Sequence, residues 1–212
     1  MKHMDEKVIS MLIEAEAKRN PAASSSAGTG QTDRADLSKL LVEIEGEKVM
    51  FHEQELLDGR VRITMPRSLR PMTRQEALVK YPSERRPAII FTNDGLSINL
   101  TFNHTANVLD EADVEEFKDA MVQITRSTQP IREWIGDGVQ QAEEKTFGYC
   151  EFMSPALNTN IYNLMIFASL DKRFLICTFN CIEEDKKAWR PVALAMLDSL
   201  RVHETAEGGG AQ

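Results

Sequence analysis

The strongest hydrophobic pattern in the chain runs through residues 160–181. Leu164, Ile166 and Ala168 alternate with Ile161, Met165 and Phe167; then Leu175, Cys177, Phe179 and Cys181 alternate with Phe174, Ile176, Thr178 and Asn180. Successive side chains of a strand point to opposite faces. The spacing therefore predicts two strands joined by a turn at Leu170-Asp171-Lys172 and apolar on both sides. Such strands belong in the centre of a sheet that is covered on both faces.

The pattern predicts further elements around this pair. Met4, Val8, Met11, Leu12 and Ala15 recur at roughly helical spacing, and the Ser-, Gly- and Ala-rich stretch that follows reads as a flexible linker. The N-terminal helix thus hangs on a tether, either to recruit a partner or to fold back on the domain. A hairpin turning at Glu45-Gly46-Glu47 comes next, then a strand in which Val61, Ile63 and Met65 alternate with Arg62 and Thr64 up to Pro66. Thr73-Arg-Gln-Glu76 is a capping box for a short helix through Lys80. Asn93-Asp94-Gly95 marks a second hairpin, whose second arm alternates Leu96, Ile98, Leu100 and Phe102 with Ser97, Asn99, Thr101 and Asn103. Asp110 is placed to cap a helix over 111–127 with a stripe of Val114, Phe117, Ala120, Met121 and Ile124, and Leu109 to staple onto Val114. Residues 128–142, with Trp134, read as a loop, and a strand follows near 143–153. The closing helix, 188–200, presents Trp189, Val192, Ala193, Met196, Leu197 and Leu200, with Pro191 expected in or near its first turn.

Composition narrows the setting. The chain of 212 residues is 42% hydrophobic and 27% charged, enough apolar content for a real core. Its formal net charge of -8 argues against a nucleic-acid or anionic-membrane partner. Asp5, Glu6, Glu14 and Glu16 break up the apolar part of the N-terminus, where a signal peptide needs an uninterrupted core. Apolar runs are strand-length, short of the ~20 residues a spanning helix needs, so no membrane insertion is expected. Three cysteines in no framework fit a reducing compartment, and the expected location is the cytoplasm.

Candidate chemistry is sparse. Cys177 and Cys181 lie four apart on one strand face, about 13 Å at strand spacing. That separation is too great for a disulfide or a shared tetrahedral metal, and it leaves them as small core hydrophobes. His3, His52, His104 and His203 fall in different elements. There is no nucleophile elbow, phosphate loop or dinucleotide fingerprint. Neither a catalytic residue nor a cofactor or metal is expected. Arg67, Arg70, Arg74, Arg85 and Arg86 gather around the short helix, as a site for an acidic partner or as a solvated rim.

The order of elements resembles the PsbP-like and DcrB-like α/β-sandwich superfamily. The resemblance rests on LDGRVRITMP, IIFTNDGLSINLTF, the helix over 111–127, IYNLMIFASLDKRFLICTFNC and AWRPVALAMLDSLRV, and spans roughly residues 57–202. It implies an α+β fold: an antiparallel sheet of five to seven strands with helices packed on it, plus the tethered N-terminal helix. Members are mostly non-enzymatic and include photosystem accessory subunits, bacterial lipoproteins, a Ran-binding nuclear transport factor and Eag-type chaperones for secreted effectors. The expected divisions are 1–20 helix, 21–36 linker, 37–203 sandwich domain and 204–212 tail. The expected function is a non-enzymatic binding module, adaptor or chaperone-like, whose partner is another polypeptide such as a secreted or apolar client, with a homodimer allowed. The expected contacts are Ile161, Met165 and Phe167 (or the opposite set) on an apolar sheet face, with Trp134, Arg85 and Arg86. The alternative is a small hydrolase or ligand-binding protein with its site on that face.

Overall fold

A computed structural model describes residues 34–204, apart from Lys39, Ser83 and Arg85. The N-terminal helix, most of the linker, the tail beyond 204 and Arg85 therefore lie outside the described residues.

The fold has two antiparallel sheets. A small one is built from β1 (Leu41–Ile44), β2 (Glu47–Leu56), β3 (Val61–Pro66) and the short β11 (Arg201–Val202), in that order. The large one contains β4 (Arg70–Pro71), β5 (Ile89–Thr92), β6 (Ile98–Val108), β7 (Glu133–Ala142), β8 (Lys145–Pro155), β9 (Asn160–Leu170) and β10 (Arg173–Ile182). Its spatial order is β4-β5-β6-β10-β9-β8-β7. Three α-helices occur among the described residues: α1 (Arg74–Lys80), α2 (Val114–Thr128) and α3 (Lys186–Ser199). None is long and apolar enough to cross a membrane. The architecture is an α+β sandwich, with β9 and β10 at the centre of the large sheet.

Local chemistry sets these elements. The β9–β10 hairpin closes on Asp171 and Lys172, both at positive φ, the conformation a tight two-residue turn demands. Arg60 anchors that turn through Asp171 at 2.6 Å. At the Asn93 turn the left-handed residue is Leu96, held because Asn93 Oδ1 accepts the amides of Ser97 (2.9 Å) and Ile98 (3.0 Å). The capping box of α1 forms as its sequence requires, with Thr73 and Glu76 exchanging bonds. Arg70 clamps Glu76 through two nitrogens, at 3.0 and 2.8 Å, and holds its carboxyl down at about 2.

Two elements begin differently from the sequence expectation. Asp110 opens a single 3₁₀ turn, Glu111–Asp113, with no side-chain cap bond, and α2 proper starts at Val114. Pro191 sits one turn deeper than expected, because a 3₁₀ turn at Glu183–Asp185 leads into α3 already at Lys186.

The large sheet is sealed on both sides. Leu164, Ile166, Leu175, Cys177 and Phe179 share one core with α3 and the small sheet. Met165, Phe167, Cys150, Phe152, Phe174 and Ile176 form a second core with Val114, Met121 and Val122 of α2. The helix packs close enough to need a glycine beneath it: a Cβ on Gly148 would lie 2.6 Å from Cβ of Lys118. The three thiols are buried and free, and burial pushes each of them up, Cys181 to about 12. They are packing atoms, not thiolates.

Candidate functional site

The expected contact residues do not come together on an open surface. Met165 and Phe167 are fully buried beneath α2, where Phe117 meets Phe167 edge-on at 6.1 Å. The opposite set is no more accessible, since Leu164 and Ile166 lie under the other core. The proposed apolar face is thus interior, because the stripe of α2 covers one side while α3 and the small sheet cover the other. Ile161 is half-buried at the start of β9, and Arg86 is half-buried in the segment between α1 and β5. Trp134 is half-buried on β7 and stacks on Phe152 with ring centroids 5.6 Å apart. The Arg126 guanidinium lies 4.3 Å from its ring centroid, and its Nε1 donates to Asp137 at 3.0 Å.

Beside the α2 core, the same sheet face turns polar. Thr92, Asn99, Asn180 and Asn163 are successive cross-strand partners on β5, β6, β10 and β9, and Ser154 of β8, which pairs with Ile161, sits diagonally beyond Asn163. Thr92 donates to Asn99 (2.9 Å), Asn99 to Asn180 (2.9 Å) and Asn163 to Ser154 (3.1 Å). The bonds form one run from Thr92 to Asn180 and a separate Asn163–Ser154 pair, and Asn163 Oδ1 has no partner. Two further buried atoms without partners, Thr125 Oγ1 and Gln129 Nε2, belong to the C-terminal end of α2.

They lie at the same end of the sheet. The 3₁₀ turn and helix α2 run alongside β8 from Glu111, which accepts the Thr146 amide at 2.5 Å, past Lys118 over Gly148, to Arg126 over Trp134. Each unpaired buried polar atom costs about 1–3 kcal/mol. That end of α2 is consequently its least satisfied seam.

Charge is buried at two places. Under α3, Arg190 grips Glu151 at 2.6 and 3.0 Å, and Tyr162 donates to the same carboxylate at 2.8 Å. Burial in this company pushes the Tyr162 phenol far up. Under α2, the Lys118 ammonium is held by Asp119 and by Asp137 at 3.2 Å. Burial disfavours its charge, but the two carboxylates more than offset this and raise its pKa. By contrast, half-buried Lys80 donates to the Leu96 carbonyl, and burial lowers it to about 8.

A cleft of about 610 Å³ opens at the β7–β8 turn, lined by Glu111, Glu143, Glu144, Lys145, Val202, His203 and Glu204. Lys145 occupies it with Glu111 at 3.3 Å and Glu204 at 2.5 Å. No nucleophile–base pair converges there.

Residues 133–142, read from sequence as a loop, are the edge strand β7. It pairs with β8 from Glu133↔Met153 to Ala142↔Lys145, with a bulge between Trp134 and Gly136. Its outer side faces no strand among the described residues. An edge strand commonly carries a Lys or Pro that deters pairing, and EWIGDGVQQA has neither. Its carboxylates are already engaged, Glu133 by Lys186 at 3.5 Å and Asp137 by Lys118. A Cβ at Gly138 would meet Tyr149 Oη at 2.9 Å, so a side chain there would have to displace the tip of that ring.

No family model and no curated protein matches the chain. Solved structures similar to it include cyanobacterial PsbP (CyanoP) from Synechocystis, at 11% identity over 72% of this chain and 92% of that one, TM-score 0.49. LpqN of Mycobacterium tuberculosis, involved in cell envelope biogenesis, is similar at 10% identity over 76% of this chain and 94% of that one, TM-score 0.48. The T6SS immunity protein TplEi of Pseudomonas aeruginosa aligns at 12% identity over 97% of this chain and 87% of that one, TM-score 0.40. These likenesses concern the fold alone, which is similar to that of the PsbP-like α/β sandwich.

Proposed function

We propose that the chain is a polypeptide-binding module, adaptor-like rather than catalytic, that receives an extended segment of its partner along β7. The observation that carries this reading is the edge itself: ten residues long, paired on one side only among the described residues, and without Lys or Pro. The outer N–H and C=O groups of such a strand are a template for strand addition, in which main-chain hydrogen bonds give affinity and alternate side chains give specificity. Pairing of Glu133 and Asp137 with lysines leaves no uncompensated charge to repel an incoming strand. Trp134, braced by Phe152 and Arg126, offers a rigid aromatic anchor at the bulged end. The free thiols suit a reducing compartment, the cytoplasm among them.

The test is selection of a displayed peptide library on the full chain, followed by hydrogen exchange of the complex. Protection of the β7 amides is the expected result. A selected peptide that protects the acidic cleft or α1 and leaves β7 unchanged would overturn the reading.

A further inference from the structure

The two sides of strand β7 differ in what they offer an incoming strand. On one, Trp134, Asp137 and Val139 pair with Phe152, Cys150 and Gly148 of β8, which lie beneath α2. On the other, Gly136 and Gly138 have no side chain, and Gln140 donates to Asp198 at 2.8 Å. Side chains that could select a partner by charge therefore stand on the α2 side.

Charge on that side is matched with one exception. Asp119 and Asp137 hold Lys118, Glu133 holds Lys186 at 3.5 Å, and Glu183 lies 3.6 Å from Arg132. Arg126 is exposed and forms no ion pair among the described residues; its guanidinium lies 4.3 Å from the Trp134 ring centroid instead. A cation–π contact leaves the guanidinium charge unneutralised and its fork of N–H donors able to take a carboxylate in two bonds. The ring beneath it is fixed by its stack on Phe152 and by the bond from Nε1 to Asp137 at 3.0 Å. Asp137 does not turn to Arg126, since Trp134 engages its Oδ1 and Lys118 its Oδ2. The net charge of -8 opposes an acidic partner at long range. At physiological salt that field is screened beyond about 8 Å, so the local contact decides.

We propose that Arg126 sets the chemistry of the segment that pairs with β7. The incoming strand places an aspartate or glutamate on the α2 side at the Trp134 end, and Arg126 takes its carboxylate while staying on the ring. An apolar side chain farther along the same side meets Val139, which is 36% exposed. The proposal rests on the strand-addition reading and adds charge selectivity to it.

The test is a double-mutant cycle with a peptide selected on the full chain from an unphosphorylated display library. Hydrogen exchange first establishes that the peptide protects β7. Replacing its acidic residue by the corresponding amide should weaken binding to the unaltered chain about tenfold. The same replacement should cost less than about twofold against the Arg126→Gln chain, whose unfolding midpoint should stay in place because Arg126 is exposed. Peptides that protect β7 but share no acidic residue would overturn this proposal and leave strand addition standing. An amide replacement that costs the same in both chains would do likewise. If no selected peptide protects β7, both readings fall.

Discussion

The two faces of the large sheet are sealed in different ways. Beneath α3 the sheet is apolar almost throughout, and its one buried charged side chain among the described residues, Glu151, is gripped by Arg190 and Tyr162. Beneath α2 an apolar half gives way to a row of amides and hydroxyls that bond to one another across strands, and three buried atoms at that end have no partner. The contrast teaches that burial follows from what covers a face, while firmness follows from how completely its polar atoms are paired. Neither face is available to a partner. Among the described residues, the long edge of the large sheet with no strand beside it is β7.

The largest effects should come from treating the two faces as equivalent core. Phe167→Ala is expected to cost about 3–5 kcal/mol and Leu164→Ala about 2–5, read from denaturant midpoints. A cost below about 1 kcal/mol for Phe167→Ala would mean that α2 does not close its face. Next comes the buried carboxylate beneath α3. Arg190→Ala strands a buried carboxylate and should cost about 3 kcal/mol, the low end for such pairs because the arginine is partly exposed. Replacing Glu151 and Arg190 together with methionine should recover only part of that loss, since the buried Tyr162 hydroxyl then lacks its acceptor. If the double variant is as unstable as the single one, the pair matters for packing and not for charge.

Smaller changes probe the α2 side. Gly148→Ala forces Cβ against Lys118 and should cost about 1–3 kcal/mol, with faster hydrogen exchange in α2 than in α3. The last effect is a dependence on pH. Lys80 titrates at about 8 in the folded chain and near 10.4 when unfolded, so between these values the unfolded chain binds more protons. The cost of burying its ammonium is in force below pH 8 and is relieved as pH rises from 8 to 10.4. Lys80→Met should therefore raise stability at pH 7 and flatten that rise in the unfolding midpoint; an unchanged slope would assign it to other groups.

Much of this arrangement was legible from the sequence. Two-sided alternation in 160–181 identified the central strands and their facing sets, the Thr73–Glu76 spacing gave the α1 cap, and the Val114–Met121 stripe gave the helix that closes one side. Where that helix would land was not legible, so Met165 and Phe167 read as surface candidates although α2 buries them. Strand β7 was read as a loop because Gly136, Asp137 and Gly138 interrupt its apolar pattern. An edge strand can be held by backbone pairing to one neighbour, which leaves little trace in side-chain periodicity. The polar row escaped for a related reason. Asn99 and Asn180 each look like the polar half of an alternating strand, and only pairing across 81 residues turns them into one buried network. Alternation shows which residues share a face and is silent on what covers it.

The central claim, closed faces and an open edge, is tested most directly by residue-resolved hydrogen exchange on the full chain. Amides of β9 and β10 should exchange only through global unfolding, while on β7 every second amide, those turned away from β8, should exchange at nearly free rates. Uniform protection along β7 would show that its outer side is already paired, and would contradict the account.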